Sequence, residues 1–284
     1  MTDAQQIKFD RLTCVIKSYD STLVAFSGGV DSAFVLRVAR DVLGKHCVKA
    51  VTADSPSVPR RELENAKKLA CELGVEHRVI QTKEFEDPRY LANSEQRCFF
   101  CKTELYTRLT VLAGEWRLRT VCDGTHVDDL GDFRPGLRAA SQHHIQSPLV
   151  AAGFGKAEIR ALSRSMGLAV WDKPASPCLS SRVPHREEIT AQKLKQIEAG
   201  ENFLKDLGFC IVRLRHLGET ARVELGRDEF VRVMDVGLRN EVTNFILSLG
   251  FRSVCLEPYG ASRVDLEKNL DPAVRTEMTK AGLC

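Results

Sequence analysis

The 284-residue chain has no uncharged apolar run near the roughly 18 residues that a membrane helix needs. Its start, Met-Thr-Asp-Ala-Gln-Gln-Ile-Lys-Phe-Asp, has neither the basic opening nor the apolar segment of a secretory signal, so a cytoplasmic protein without a membrane partner is expected. The net charge of +3 falls far short of the basic excess of a phosphate-tracking protein, and no nucleic-acid partner is expected. Ten cysteines are too dilute for a disulfide scaffold; in a cytosolic chain, thiols at close spacing more often bind metal or do chemistry. Neither Gly-x-x-x-x-Gly-Lys-Ser/Thr nor Gly-x-Gly-x-x-Gly occurs, so neither a Walker ATPase nor a dinucleotide enzyme is indicated. There is no internal repeat and no low-complexity tract.

What is present, 43% hydrophobic and 28% charged residues, suits one large core or two modest ones. From residue 22 to about 125, strand-like runs (Thr22 to Phe26, Val48 to Thr52, Val75 to Ile80, Arg119 to Cys122) alternate with helix-like ones. Leu63, Ala66, Leu69, Ala70 and Leu73 recur at helical spacing, and Gly74 stops that helix. The alternation predicts an α/β fold with a doubly wound parallel sheet whose ligand sits beyond the carboxyl ends of the strands. After Arg182 the pattern changes to a helix from about Thr190 to Leu207, strands Cys210 to His216 and Thr220 to Leu225, helical residues to about Ser248 and a strand near Arg252 to Leu256. A first domain over 1–182 and a smaller α+β domain over 183–284 are expected, with the Pro- and Gly-containing stretch from Gly131 to Arg182 joining them and lining a cleft between them.

Three stretches carry chemistry. The first, Ala25-Phe26-Ser27-Gly28-Gly29-Val30-Asp31-Ser32, follows a strand and opens the helix Ala33 to Leu43. There, bare backbone N–H groups and the positive end of a helix dipole gather around an anion, and the serine hydroxyls add donors. The second runs from Asp123 and Gly124 through His126, Asp128 and Asp129 to Asp132, Arg134 and Gly136; its four carboxylates at the ligand edge of the sheet suit magnesium or a cationic substrate. The third is Lys-Pro-Ala-Ser-Pro-Cys178-Leu-Ser180-Ser181-Arg182. Separately, Cys98-Phe-Phe-Cys101 sets two thiols one helical turn apart. Cys14, Cys47, Cys71, Cys210 and Cys255 lie in apolar stretches and are expected to be small buried hydrophobes.

The Ser-Gly-Gly-x-Asp-Ser loop resembles that of the PP-loop ATP pyrophosphatases. That resemblance implies cleavage of ATP between its α and β phosphates, adenylation of a substrate oxygen, pyrophosphate held in the loop and magnesium as counter-ion, with Asp31, Asp123 and Asp128 as its candidate ligands. It also points to Thr52, Ala53, Asp54 and Ser55, at the end of the second strand, for adenine and ribose. All three stretches together resemble the LarE family over about residues 20–257. The resemblance implies an ATP-dependent sulfur transferase acting on a small mononucleotide, pyridinium-3,5-biscarboxylic acid mononucleotide, for the nickel-pincer nucleotide cofactor. It implies a sulfide donor as a partner, and a homo-oligomer is expected.

One form of that family gives up the sulfur of a cysteine placed directly before Ser-x-Ser-Ser-Arg. Here that position holds Pro177, and Cys178 comes one residue later, so a consumed cysteine is not expected. Cys98, Cys101 and Cys178 instead match the three ligands of a 4Fe–4S cluster with one open iron. A zinc site completed by His126, His143 or His144, a dithiol or persulfide relay, and two packed thiols are the alternatives for the Cys-x-x-Cys pair. By the same resemblance, Ser180, Ser181, Arg182, Arg213 and Arg215 hold the substrate phosphate and Glu201 stands near the reactive cysteine. Arg213 and Arg215 alternate along a strand and share one face. Arg263 is a weak candidate, in a turn that does not align cleanly. A PP-loop tRNA thiolase, an ammonia-using amide ligase and a non-catalytic nucleotide sensor are the rival readings.

Overall fold

Short strands alternate with amphipathic helices through the first half of the chain, and the two central strands, Thr22–Ala25 and Val48–Asp54, bury both faces, as parallel strands do. The computed structural model describes residues 2–131 and 135–260. In order they form α1 (Asp3–Lys17), β1 (Thr22–Ala25), α2 (Val30–Leu43), β2 (Val48–Asp54), α3 (Arg60–Glu72), β3 (Glu76–Gln81), α4 (Pro88–Leu91), α5 (Arg97–Glu115), β4 (Thr120–Cys122), α6 (Pro135–Gln142), α7 (Pro148–Ala152) and α8 (Lys156–Ser165). Then come α9 (Ala191–Asp206), β5 (Val212–Leu217), β6 (Thr220–Leu225), α10 (Val236–Ser248) and β7 (Ser253–Pro258). The chain divides into two units, Met1–Pro177 and Cys178–Cys284, so the turn that starts at Cys178 belongs with the second.

In the first unit β1 to β4 make a parallel sheet in the order β3-β2-β1-β4, with Leu23 opposite Lys49 on one side and Val121 on the other. Successive residues of β1 serve opposite layers. Leu23 packs with Tyr106, Leu109 and Ala139 from α5 and α6, whereas Val24 packs with Phe34, Leu149 and Phe154. Each such fully buried side chain contributes on the order of 2 kcal/mol by leaving water. The stretch expected to join the domains does something else. Residues 135–165 hold α6, α7 and α8; Leu149 on α7 and Ile159 and Leu162 on one apolar face of α8 enter the first unit's core, together with Phe154 from the turn between those two helices.

In the second unit β5 pairs antiparallel with β6, and β6 parallel with β7. Thr190 caps α9 by accepting from Lys193 N–H, and Asp235 caps α10 by accepting from Leu238 N–H. Cys14, Cys71 and Cys210 are exposed, against expectation. For Cys14 the reason is register: Leu12 and Ile16 form the buried stripe of α1, and a residue midway between them points the opposite way. Among the described residues, no helix is long and apolar enough to cross a membrane. Arg263 and Asp132 lie outside the described residues.

Candidate active site

The phosphate loop leaves β1 with its start pinned. Phe26 N–H donates to Val51 O at 2.8 Å, and Phe26 O accepts the Thr52 hydroxyl at 2.6 Å. That hydroxyl has one proton and has given it to Phe26, so the His77 Nε2 that lies 2.7 Å away is the donor, which fixes the ring's tautomer. Burial, with a smaller push from Lys67, lowers the His77 pKa from its ordinary value. Gly28 takes φ +72°, and a Cβ there would lie 2.9 Å from the Ala66 Cβ, so the loop can meet α3 only through glycine.

Inside the loop, Gly29 N–H donates to Ser27 Oγ at 3.3 Å, Ser32 Oγ donates to Gly29 O at 3.1 Å, and the two hydroxyls lie 3.1 Å apart. Gly29, the cap of α2, supplies no side-chain acceptor. The first N–H groups of the helix are thus left for an anion. Beside them, both Asp31 oxygens face the Lys156 ammonium at 2.7 and 2.5 Å.

The end of β4 packs directly on this helix start: a Cβ on Gly124 would lie 2.7 Å from Ser32 N. Asp123, 5% exposed, accepts from Tyr106 Oη, Thr125 Oγ1, Thr125 N–H and Ser147 Oγ at 2.9–3.1 Å. Four donors fill its lone pairs, so Asp123 braces the loop and does not fit a magnesium ligand. Asp128 accepts Lys156 N–H at 2.7 Å, at the start of α8. His126 is buried with Asp31, Asp128 and Asp129 at 3.6–3.9 Å from its ring nitrogens. At the end of β2, Asp54 pairs with Arg60 and accepts from Gln81 Nε2, while the buried Ser55 hydroxyl meets Ser57 Oγ at 2.9 Å. Thr52, Asp54 and Ser55 therefore form a braced rim one strand over from the phosphate loop, with Ala53 between them.

Cys98 and Cys101 occupy the first turns of α5, whose N-terminus has no side-chain cap. Cys98 is exposed and Cys101 half-buried, and the Arg97 guanidinium, held by Asn93 Oδ1 at 2.7 Å, reaches Cys98 Sγ at 3.8 Å. Arg138 covers the Phe99 ring and Arg89 the Phe100 ring. Two sulfur atoms one helical turn apart are soft donors of the kind iron and zinc take, so the pair fits a cluster's donors. Among the described residues, no group of three or more His, Cys, Asp or Glu could hold a metal ion. Cys122 is fully buried, and its thiol is pushed up to about 12 chiefly by desolvation.

In the second unit, Cys178 opens the turn Leu179–Arg182. Its carbonyl accepts from Ser181 N–H at 3.0 Å, Ser181 Oγ at 2.8 Å and Arg182 Nη1 at 3.2 Å. Arg182 and Glu201 are both buried and paired, and Glu201 Oε1 also accepts from Leu214 N–H at 3.1 Å. Glu201 thus reaches Cys178 through Arg182. Ser180 is wholly buried. Arg213 lies over the Tyr259 ring at 4.6 Å, while Arg215 pairs with Glu224. Sequence reasoning did not single out Thr52's partner His77, Lys156, or the pair Lys173 and Glu62. Lys173 stands in the quoted Lys-Pro-Ala-Ser-Pro-Cys stretch, but nothing local marks its partner on α3.

Comparison with known proteins gives the chain's relatives. A family model described as NAD synthase matches residues 9–109, which contain the phosphate loop and β1 to β3. The chain is 44% identical over 254 residues to an uncharacterised protein of Synechocystis, covering 89% of this chain and 94% of that one. It is 37% identical over 247 residues to the pyridinium-3,5-bisthiocarboxylic acid mononucleotide synthase of Lactiplantibacillus plantarum, covering 87% and 88%. An uncharacterised protein of Methanocaldococcus jannaschii is 27% identical over 234 residues.

Proposed function

The chain belongs to the LarE family, and from that premise we propose that it is an ATP-dependent sulfur transferase that builds the thiocarboxylates of the nickel-pincer nucleotide cofactor. The observation that carries this reading is the uncapped start of α2 behind Gly28 and Gly29, joined to a second unit in which Arg182 fastens the Cys178 turn. ATP enters as its magnesium complex. Its polyphosphate lies at the loop, where Val30, Asp31 and Ser32 offer N–H groups, and its nucleoside lies along Thr52, Ala53, Asp54 and Ser55.

A carboxylate oxygen of pyridinium-3,5-biscarboxylic acid mononucleotide attacks the α phosphorus, the bond to the bridging oxygen breaks, and pyrophosphate leaves with that electron pair. Donors at the loop hold the charge that develops on it. A sulfur nucleophile at the oxidation level of hydrosulfide then attacks the acyl carbon, the C–O bond to AMP breaks, and AMP leaves. No electrons are exchanged. Cys98, Cys101 and Cys178 are the residues that would hold a 4Fe–4S cluster, and such a cluster supplies an open iron where an extra sulfide can ride. What supports the cluster over a consumed cysteine is Pro177 at the sacrificial position and the electropositive turn around Cys98. Arg213 and Arg215, on one face of β5, are the proposed holders of the substrate phosphate.

The test is pyrophosphate release from MgATP by the full chain. Release that depends on the biscarboxylate mononucleotide supports the reading; release driven equally well by ammonia alone or by bulk tRNA points to the amide ligase or the tRNA thiolase.

A further inference from the structure

Lys173 has no role so far, yet its ammonium sits at the phosphate loop. Nζ lies 2.5 Å from Glu62 Oε2 and 3.4 Å from Gly28 O, with the side chain 18% exposed. Its backbone is fixed as well: Lys173 O accepts from Arg160 Nη2 at 2.8 Å, and Lys173 N–H donates to Val170 O at 3.2 Å. Glu62 stands in the first turn of α3, one turn before Ala66, the residue against which Gly28 packs. The helix therefore presents a carboxylate where it touches the loop. Left alone, that charge would oppose a polyphosphate.

Lys173 answers it with three N–H donors. Glu62 and Gly28 O account for two, and the third has no partner among the described residues. We propose that Lys173 is a further catalytic residue, whose third donor takes an oxygen of the β phosphate of ATP and then of the leaving pyrophosphate. Glu62 orients it. The ammonium stabilises the charge that arrives as the bond between the α phosphorus and the bridging oxygen breaks, and it transfers no proton. The proposal rests on the adenylation reading above.

The experiment is equilibrium binding of two separate probes, inorganic pyrophosphate and AMP, to the full chain and to Lys173→Met, Lys173→Arg and Glu62→Gln. Losing one charge-assisted hydrogen bond should weaken pyrophosphate about tenfold or more in Lys173→Met. AMP should change less than about twofold, because it lacks the phosphates that Lys173 touches. Lys173→Arg should recover most of the loss, and Glu62→Gln, which frees the ammonium, should tighten pyrophosphate. Unchanged pyrophosphate binding in Lys173→Met, or equal losses for both probes, overturns the proposal. Should Lys173→Met not fold, the Glu62→Gln result decides: tightening supports the role and weakening overturns it. A wild-type chain that binds neither probe sinks the adenylation reading together with the proposal, whereas one that binds both but ignores Lys173 sinks the proposal alone.

Discussion

Arg182 and Glu201 form a two-point ion pair, Nε to Oε1 at 2.8 Å and Nη2 to Oε2 at 3.2 Å, with side chains 4% and 3% exposed. The same guanidinium donates to Cys178 O, so the pair sets the backbone from which the cysteine projects. The family resemblance implied a phosphate clamp for Arg182 and a place near the cysteine for Glu201. The geometry ties the two into one device.

Glu201→Gln should therefore cost about 3–5 kcal/mol, since it leaves a buried guanidinium without its counter-charge. Urea unfolding of the two proteins measures this. Replacing both partners by apolar residues should recover much of the stability without restoring sulfur transfer. A Glu201→Gln loss below about 1 kcal/mol would show that the pair is not buried in solution.

A Cβ has no room at Gly124 or Gly28. Gly124→Ala drives a methyl into the Ser32 backbone, and Gly28→Ala meets Ala66 at a φ that side chains disfavour. Both should lower substrate-dependent pyrophosphate release by about 100-fold, the cost of losing an oriented donor at a developing charge. Exchange of labelled pyrophosphate into ATP reads the defect directly, and an unimpaired Gly124→Ala variant would contradict the packing described.

Much of the first sheet was legible because β1 and β2 are buried on both faces and read as apolar runs. The phosphate loop was legible because Gly28 and Gly29 sit between a strand and a helix. Lys156–Asp31 and Lys173–Glu62 were not: the partners are 125 and 111 residues apart, and only the fold brings them together. Asp123 reads as one more acid of an acidic loop until Tyr106, Thr125 and Ser147 are found around it. The helices α6 to α8 were missed because two of them begin with a proline and all are short.

The His77 ring is expected to make stability depend on pH. Burial holds its folded pKa below the ordinary 6.5 that the unfolded chain keeps. Between those values the unfolded chain binds more protons, so the stability present above about pH 6.5 is lost as the pH falls toward the folded value. His216 is lowered by burial too and adds to the same window. His77→Gln, which can still donate to Thr52, should flatten the dependence of the urea midpoint between about pH 7.5 and about pH 5.5. An identical slope in both proteins would remove His77 from the account.

Anaerobically prepared protein should carry iron and sulfide with broad visible absorption, and should lose both in Cys98→Ala, Cys101→Ala and Cys178→Ala. The Cys122→Ala variant, at a buried thiol away from this chemistry, should keep them. Zinc in place of iron, with activity retained, would favour a structural metal.

The central claim is that sulfur passes through the chain without being taken from it. Its most direct measurement is product per chain in an anaerobic reaction with MgATP, the biscarboxylate mononucleotide and excess sulfide, followed by the intact mass of the protein. The account predicts several thiocarboxylates formed per chain, one pyrophosphate for each, and an unchanged mass. A reaction that stops after one sulfur per chain, with the protein lighter by that sulfur at Cys178, would contradict it.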